Sequence, residues 1–189
     1  MNYYKLKHKE TPWGDYSDIL LTGMTDDLDR QDDLLQYQRT GPFQPDIALT
    51  SYKDLLVTNK IKEKLELSDL KGILFTPVIN RHIVSVNWAT WDTSKDEPEF
   101  YPKSGEPEGY ILDQPHPQEL AAKMEDVWEV VVPTSGTFEE DDTFQIYNPD
   151  FDIILPENKY WFIVTEKAKN WIEQNGDSWI DFIEVKISS

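Results

Sequence analysis

Apolar and polar positions in residues 52–80 follow first a strand pattern, then a helix pattern, then a strand pattern again. A short apolar run at 55–57 leads into Thr58, whose hydroxyl can cap the first turn of a helix. Ile61 and Leu65 lie one turn apart among polar neighbours, as on the buried face of an amphipathic helix. A second apolar run follows a glycine and ends at a proline. This stretch therefore predicts strand, helix and strand.

Residues 159–187 repeat the same pattern. One constant shift, without a gap, places Val57 on Val164 and Phe75 on Phe182. Two interpretations are open: an internal duplication, or two ordinary strand–helix–strand units that look alike because both obey the same patterning rules. Both predict that the following side chains are buried: Ile61, Leu65, Phe75, Val164, Ile172 and Phe182.

The remaining apolar segments predict further strands and few helices. Candidate strands are 3–6, 18–22, 46–50, 82–88, 128–132, 143–147, 152–155 and 160–164. Residues 25–37 could form a short helix or a loop, and Pro117 favours a short helix over 118–126. Residues 92–117 are rich in proline and predict a long surface excursion anchored by aromatic side chains. We expect one α+β domain, 1–189, with a mixed or mainly antiparallel sheet and a few short helices.

Charge is the strongest property of the whole chain. Asp and Glu number 36 against 18 Lys and Arg, which gives a net charge of −18. Such a chain is not expected to bind nucleic acid through its phosphates, and long-range attraction would favour a basic partner. Solubility alone could also explain the acidity. There is no Cys, no apolar run of membrane-spanning length and no N-terminal signal-peptide pattern, so we expect a cytoplasmic protein without membrane contact.

Catalytic patterns are missing from the sequence. It has no phosphate-binding glycine loop and no nucleophile elbow. His82 and His116 lie in unrelated contexts and are expected to be structural. The aspartates within 26–33 could bind a hard cation or simply form a solvated acidic face; they lack the spacing of a calcium loop. We therefore expect no enzymatic activity and no cofactor.

Two groups of residues are candidates for binding a partner. Residues Glu139, Glu140, Asp141 and Asp142 form an acidic run that predicts a charged turn, either solvated or facing a basic partner. Trp88 and Trp91 follow a predicted strand. Each could pack in the core or serve as an aromatic anchor at an interface, where Trp is enriched.

Both repeated stretches resemble segments of a known bacterial family. Residues 55–78 resemble its V-S/T-x-x-hydrophobic-K segment followed by G-hydrophobic-x-F-x-P-V, and 163–185 look like the closing version of that segment. Tyr3-Tyr4 is similar to the start of the family. This family was first described as a domain of unknown function and is now grouped with the immunity proteins of polymorphic toxin systems.

The resemblance implies a protein that neutralises a cognate toxin domain by stoichiometric occlusion. It supplies no catalytic residue and no toxin-contact position. An alternative of another class is an orphan enzyme or a small-ligand or carbohydrate-binding protein, with a site built from carboxylates and aromatic side chains. A concave pocket would favour that alternative, and a flat or convex acidic surface would favour the inhibitor. A scaffold module with a large apolar self-interface is a third hypothesis.

Overall fold

The computed structural model describes residues 2–50, 54–177 and 179–188, without the side chains of 26–29. The fold is α+β, as predicted, with mainly antiparallel sheets. Its strands are β1 (Tyr3–His8), β2 (Met24–Gln31), β3 (Leu34–Gly41), β4 (Ile47–Leu49), β5 (Leu55–Thr58), β6 (Leu74–Pro77), β7 (Ile79–Ser85), β8 (Val127–Val131), β9 (Thr137–Phe138), β10 (Phe144–Gln145), β11 (Ile153–Ile154), β12 (Ile163–Thr165) and β13 (Ile180–Val185). Its α-helices are α1 (Asp15–Thr22), α2 (Asn59–Glu66), α3 (Gly109–Leu112), α4 (Gln118–Ala121) and α5 (Glu166–Asn175).

Two four-stranded sheets form the frame of the molecule. The N sheet has the strand order β4-β5-β8-β6, and the C sheet has the order β11-β12-β1-β13. Helix α2 connects β5 to β6, and α5 connects β12 to β13. Both predicted strand–helix–strand units are therefore confirmed. The apolar faces of α2 and α5 share one core with the two sheets, which includes Ile61, Val130, Val164 and Ile172.

Each sheet receives its middle strand from a distant part of the chain. Strand β8 lies between β5 and β6, and β1 lies between β12 and β13; each middle strand is antiparallel to both neighbours. The pairing registers agree position by position. Equivalent cross-strand pairs are Val57–Trp128 and Phe75–Val130 in the N sheet, and Val164–Tyr4 and Phe182–Leu6 in the C sheet. This shared register favours internal duplication over two unrelated units.

The two copies are interlocked. Along the chain, the order of middle strand, edge strand, strand, helix and strand occurs twice, as β1-β4-β5-α2-β6 and as β8-β11-β12-α5-β13. Each copy contributes its first strand to the sheet of the other copy. Neither sheet can therefore be completed by residues from one half of the chain.

Residues 25–37 form neither a helix nor a loop, contrary to expectation; they belong to a β2–β3 hairpin. Asp32 and Asp33 both have positive φ, 51° and 67°, which suits the two-residue turn of a tight hairpin. Leu35 and Tyr37 then pack on the N sheet with Leu56. Residues 35–41 of β3 are all buried, so tertiary packing of this strand overrides the helix-like start of the segment.

The prediction of a strand at 18–22 is also wrong, because these residues belong to α1. Ile19, Leu20 and Leu21 are buried at three consecutive positions, so the second half of this helix has no amphipathic pattern, although Asp15 at its start is exposed. A short continuous apolar run cannot distinguish such a helix from a buried strand. The helix ends at Gly23, whose φ of 67° suits glycine.

The other sequence predictions hold with shifted boundaries. Strand β7 begins before residue 82 and pairs in parallel with β3, which makes the small β2-β3-β7 sheet mixed. The helix expected over 118–126 is only one turn long. Of the six predicted core side chains, Phe75 and Phe182 are only half-buried, while Ile61, Leu65, Val164 and Ile172 are buried. Among the described residues, no helix is long and apolar enough to span a membrane.

Candidate functional site: an acidic excursion and an adjoining cleft

The two tryptophans proposed as partner anchors lie in the core. Trp88 and Trp91 are only 4% and 8% exposed. Trp88 packs edge-on against Phe43, and Trp91 packs against Trp13 and Phe100. Their indoles therefore offer little surface to a partner. Both side chains pack in the core and do not serve as exposed anchors.

The acidic run 139–142 forms the predicted charged turn, between β9 and β10. All four side chains are exposed. Thr143 donates hydrogen bonds to Asp141 from its hydroxyl (2.7 Å) and its backbone N–H (3.1 Å), which lowers the pKa of Asp141. The turn lies on the hairpin that covers the C sheet, so it belongs to a different part of the fold from the two tryptophans.

The possible cation site at 26–33 receives no support from the described residues. Side chains 26–29 lie outside the description, and exposed Asp32 and Asp33 form the hairpin turn. No group of three or more potential metal ligands occurs in the described part of the chain.

Residues 92–113, which we call the acidic excursion, combine charge with exposed apolar surface. They contain seven carboxylates and two lysines, and all seven carboxylate residues are exposed: Asp92, Asp96, Glu97, Glu99, Glu106, Glu108 and Asp113. The same segment exposes Phe100 (43%), Tyr101 (46%) and Leu112 (57%). Sequence analysis identified the excursion but not these side chains as its apolar surface.

Aromatic side chains contact the backbone of the acidic excursion at three points. Three hydrogen bonds reach its backbone carbonyls: Trp13 Nε1 to Lys95 (2.9 Å), the Tyr16 hydroxyl to Gly105 (2.6 Å) and the Tyr110 hydroxyl to Phe100 (2.5 Å). Burial raises the pKa of Tyr110 to about 12. The ring of Tyr16 also packs edge-on against Tyr101 at 5.1 Å. The segment is thus an ordered surface despite its lack of strands.

Local hydrogen bonds also keep two of its carboxylates ionised. Hydrogen bonds from the side chain and the backbone of Ser94 to Asp92, and from the side chain and the backbone of Ser104 to Asp113, lower the pKa of both carboxyl groups. The negative charge at these two positions therefore persists below the pH at which an ordinary aspartate would be half-protonated.

A cleft of about 570 Å³ adjoins the acidic excursion. It is lined by residues of β1 and α1 and by the loop 106–108. Residues 49–50, at the end of β4, and residues 160–162, just before β12, complete the lining. Lys5 and Lys7 are two apart on β1, so they lie on one face of the strand, whereas Asp15 and Asp18 are one helical turn apart on α1.

Charged and aromatic side chains of the cleft are fixed by neighbours. His8 Nδ1 lies 3.1 Å from the Lys9 carbonyl oxygen, and its Nε2 lies 3.5 Å from Asp18 Oδ2. The hydroxyl of Thr11 donates to the other oxygen of Asp18 at 2.8 Å. The Lys5 ammonium lies 3.3 Å from the centre of the Trp161 ring, as in a cation–π contact.

Sequence analysis missed this cleft. Its lining residues come from five separate segments, and no local spacing connects them. His82 and His116, by contrast, meet outside the cleft with ring centres 4.2 Å apart. Burial and the neighbouring His116 and Arg81 lower the pKa of His82, and its Nδ1 lies 2.6 Å from Gln38 Oε1. This pair connects β7 to the segment before α4.

Comparisons with protein-family models, curated proteins and solved structures find no match to this chain.

Proposed function

We propose that this protein binds a basic partner protein and inhibits it stoichiometrically, through the acidic excursion. The observation that supports this proposal is the combination of seven exposed carboxylates with exposed Phe100, Tyr101 and Leu112 on one ordered segment. Interfaces gain most of their affinity from a few desolvated aromatic or apolar side chains, and charge around them increases the rate of association.

Preorganisation is the second physical argument. Binding by a disordered loop would cost roughly 0.5–1.5 kcal/mol for each immobilised flexible side chain. In the acidic excursion much of this ordering is already achieved in the free protein, because Tyr16, Tyr110 and Trp13 hold its backbone. A surface of this kind can bind tightly without a folding step.

The resemblance of the two repeated stretches to immunity proteins suggests what the partner is. On this proposal the partner is a toxin domain with a basic active-site groove, and the protein occludes that groove without turnover. The net charge of −18 fits such a partner. The anchors proposed now are Phe100 and Tyr101, in place of the buried Trp88 and Trp91, while the acidic turn 139–142 stays a possible second contact.

Binding kinetics against the cognate toxin would test the proposal. We expect the triple reversal Asp96→Lys, Glu97→Lys and Glu99→Lys to lower the association rate at least tenfold at low salt and much less at high salt, because screening removes the long-range attraction. We expect Phe100→Ala and Tyr101→Ala to increase the dissociation rate.

A matched reversal in the acidic turn is the comparison arm: Glu139→Lys, Glu140→Lys and Asp142→Lys change the charge by the same amount on another part of the fold. If the reversal in the turn lowers the association rate more than the reversal in the acidic excursion, the turn is the main contact with the partner. An association rate insensitive to salt and to both reversals would refute the electrostatic mechanism, and absence of any complex would refute the function.

A further inference from the structure

We infer that the outer edge of β6 pairs with the same strand of a second copy of this chain, so that the protein forms a weak two-fold dimer. This self-pairing is separate from the proposed binding of a basic partner by the acidic excursion. Three features of the edge support it: the backbone groups that β6 turns outwards, the apolar side chains beside them and the local charge.

Strand β6 is the last strand of the N sheet, and β8 is its only partner among the described strands. The Val78 N–H donates to the Val127 carbonyl at 3.1 Å, which continues the β6–β8 register by one hydrogen-bonded pair. Because backbone groups alternate in direction along an antiparallel strand, the N–H and C=O of Phe75 point away from β8. Pro77 has the same orientation, which suits a residue without an N–H.

The outward groups of β6 are complementary to themselves. In an antiparallel pair centred on Phe75, the N–H of each Phe75 donates to the C=O of the other, and the Ile73 N–H meets the C=O of Pro77 in the second copy. Leu74 then lies opposite Thr76 of the second copy. The missing N–H of Pro77 removes one hydrogen bond at each end, so the pairing is short and the dimer is weak.

Exposed aliphatic side chains flank this edge. Leu67 (89%) and Leu74 (70%) are the most exposed large aliphatic side chains that the structure describes, and Val131, opposite Leu74 on β8, is 38% exposed. Leu70 and Leu74 also line a groove of about 380 Å³ between α2 and β6. Exposed apolar surface of this kind is typical of protein interaction sites. Pairing of two β6 strands places Leu74 against the second copy.

Charge favours a second copy as the occupant of this edge. The net charge of −18 makes two copies repel each other over most of their surface. Residues 59–78, which form α2, the following loop and β6, instead carry four lysines and three carboxylate residues. Two copies can therefore approach there without strong repulsion. A basic partner would be attracted to the acidic surfaces, not to this nearly neutral one.

The equivalent outer strand of the C sheet, β13, is protected against such pairing. Asp181 and Glu184 occupy the positions that Leu74 and Pro77 have in β6, and both carboxylate residues are exposed. Charged side chains on an edge strand oppose edge-to-edge pairing. Strand β6 carries no charged residue, so of the two outer strands it is the one suited to pairing.

Sedimentation equilibrium of the full chain, from about 10 µM to about 1 mM, tests the self-pairing. We expect the mass to rise from 22.1 kDa towards twice this value, with a dissociation constant of about 100 µM. Added salt should strengthen the dimer, because it screens the repulsion between acidic copies, whereas it should weaken binding to a basic partner.

Leu74→Asp introduces the residue found at the equivalent position of β13 and should weaken the dimer at least tenfold. Leu112→Asp is the matched control, since it adds the same charge at an exposed leucine of the acidic excursion and should change the dimer far less. Disulfide trapping tests the register, because the chain has no Cys. Leu74→Cys and Thr76→Cys copies, mixed, should form a disulfide-linked dimer, and Leu112→Cys with Thr76→Cys should not.

The inference is refuted if the mass stays at 22.1 kDa up to about 1 mM in about 0.5 M salt, or if Leu74→Asp dimerises like the unmodified protein. If the protein stays monomeric but an extended peptide such as Thr-Val-Thr-Val protects the Phe75 amide from hydrogen exchange, the edge binds a strand of another protein and self-pairing is refuted. None of these outcomes depends on binding to a toxin.

Discussion

The N sheet with α2 and the C sheet with α5 share their architecture but differ in their surfaces. Equivalent ion pairs support both units: Lys62–Glu66 (2.6 Å) with Lys169–Glu173 (2.8 Å), and Lys60–Asp46 (2.9 Å) with Lys167–Asp152 (3.4 Å). Equivalent backbone bonds connect Thr58 N–H to the Asp46 carbonyl and Thr165 N–H to the Asp152 carbonyl. The groups that set register and helix position have thus stayed the same in both copies.

The two units differ at positions that line the groove beside each helix. A groove between helix and outer strand occurs in both, with volumes of about 380 Å³ in the N unit and 430 Å³ in the C unit. Leu70 and Leu74 line the first groove, and Asp177 and Asp181 occupy the equivalent places in the second. Strand pairing and core packing are therefore alike in the two units, whereas these two groove positions carry leucines in the N unit and aspartates in the C unit.

Cutting the chain between exposed Asp96 and Glu97 should have the largest effect, because each sheet takes its middle strand from the other half. We expect residues 1–96 and 97–189 to be unfolded when each is expressed alone, and to assemble into a folded complex when mixed. Circular dichroism and size-exclusion chromatography would measure this. A half that folds alone as a monomer would show that the units are not interlocked in the way the strand order indicates.

Sequence patterns predicted the parts of the fold that depend on local periodicity. Both strand–helix–strand units were recognised because the helix period and the flanking apolar runs are present within 30 residues. The hairpin at 24–41 was missed, since its turn depends on Asp32 and Asp33 adopting positive φ, which aspartate tolerates but does not require. The interlocked strands could not be predicted, because no local property of β1 or β8 specifies a distant partner.

Only part of the candidate site was accessible to sequence reasoning. The proline-rich composition of 92–117 predicted a long surface excursion. Which of its aromatic side chains are exposed depends on packing with α1: Tyr110 is buried, and Phe100 and Tyr101 are not. The cleft depends on bringing together residues near positions 7, 18, 50, 107 and 161, so it exists only at the level of tertiary structure.

Truncation of the equivalent phenylalanines tests whether the two units have similar stability. Phe75→Ala and Phe182→Ala should each cost roughly 1–3 kcal/mol, less than the 3–5 kcal/mol of a fully buried phenylalanine, because both rings are half-buried and lie under Lys62 and Lys169. Urea denaturation would measure the free energy of unfolding. Costs that differ by more than about 2 kcal/mol would mean that these two positions are no longer equivalent.

The two threonines at the helix starts should differ. Thr165 accepts from the Ala168 N–H and donates to Asp152 (2.8 Å), whereas the buried Thr58 hydroxyl has no hydrogen-bond partner among the described residues. Thr165→Val should therefore destabilise by about 1–2 kcal/mol. Thr58→Val should be neutral or stabilising, because a methyl group replaces an unsatisfied hydroxyl. Equal losses from both substitutions, measured by chemical denaturation, would contradict this asymmetry.

The smallest expected change in stability concerns Asp177, which occupies the position in the C unit that is equivalent to Leu70 in the N unit. Burial and the nearby Asp46 raise the pKa of Asp177, while the Asp46 N–H, which donates to it at 2.5 Å, opposes the shift. A raised pKa means that the folded state binds the proton more tightly than the unfolded state. The Asp177 carboxylate therefore lowers stability as pH rises from its ordinary value of 3.8 through the raised pKa, and it costs nothing below this window.

Asp177→Asn should consequently raise the melting temperature at pH 7 by about 1–2 °C, a small change because solvent screens the partly exposed carboxylate. The gain should disappear near pH 3, where the wild-type carboxyl is protonated in both states. Asp181→Asn removes the same charge from an exposed position in the same groove and should change the melting temperature less. Calorimetry at several pH values would measure all three proteins. A gain that persists unchanged at pH 3, or an equal gain from Asp181→Asn, would show that the effect comes from net charge and not from the burial of Asp177.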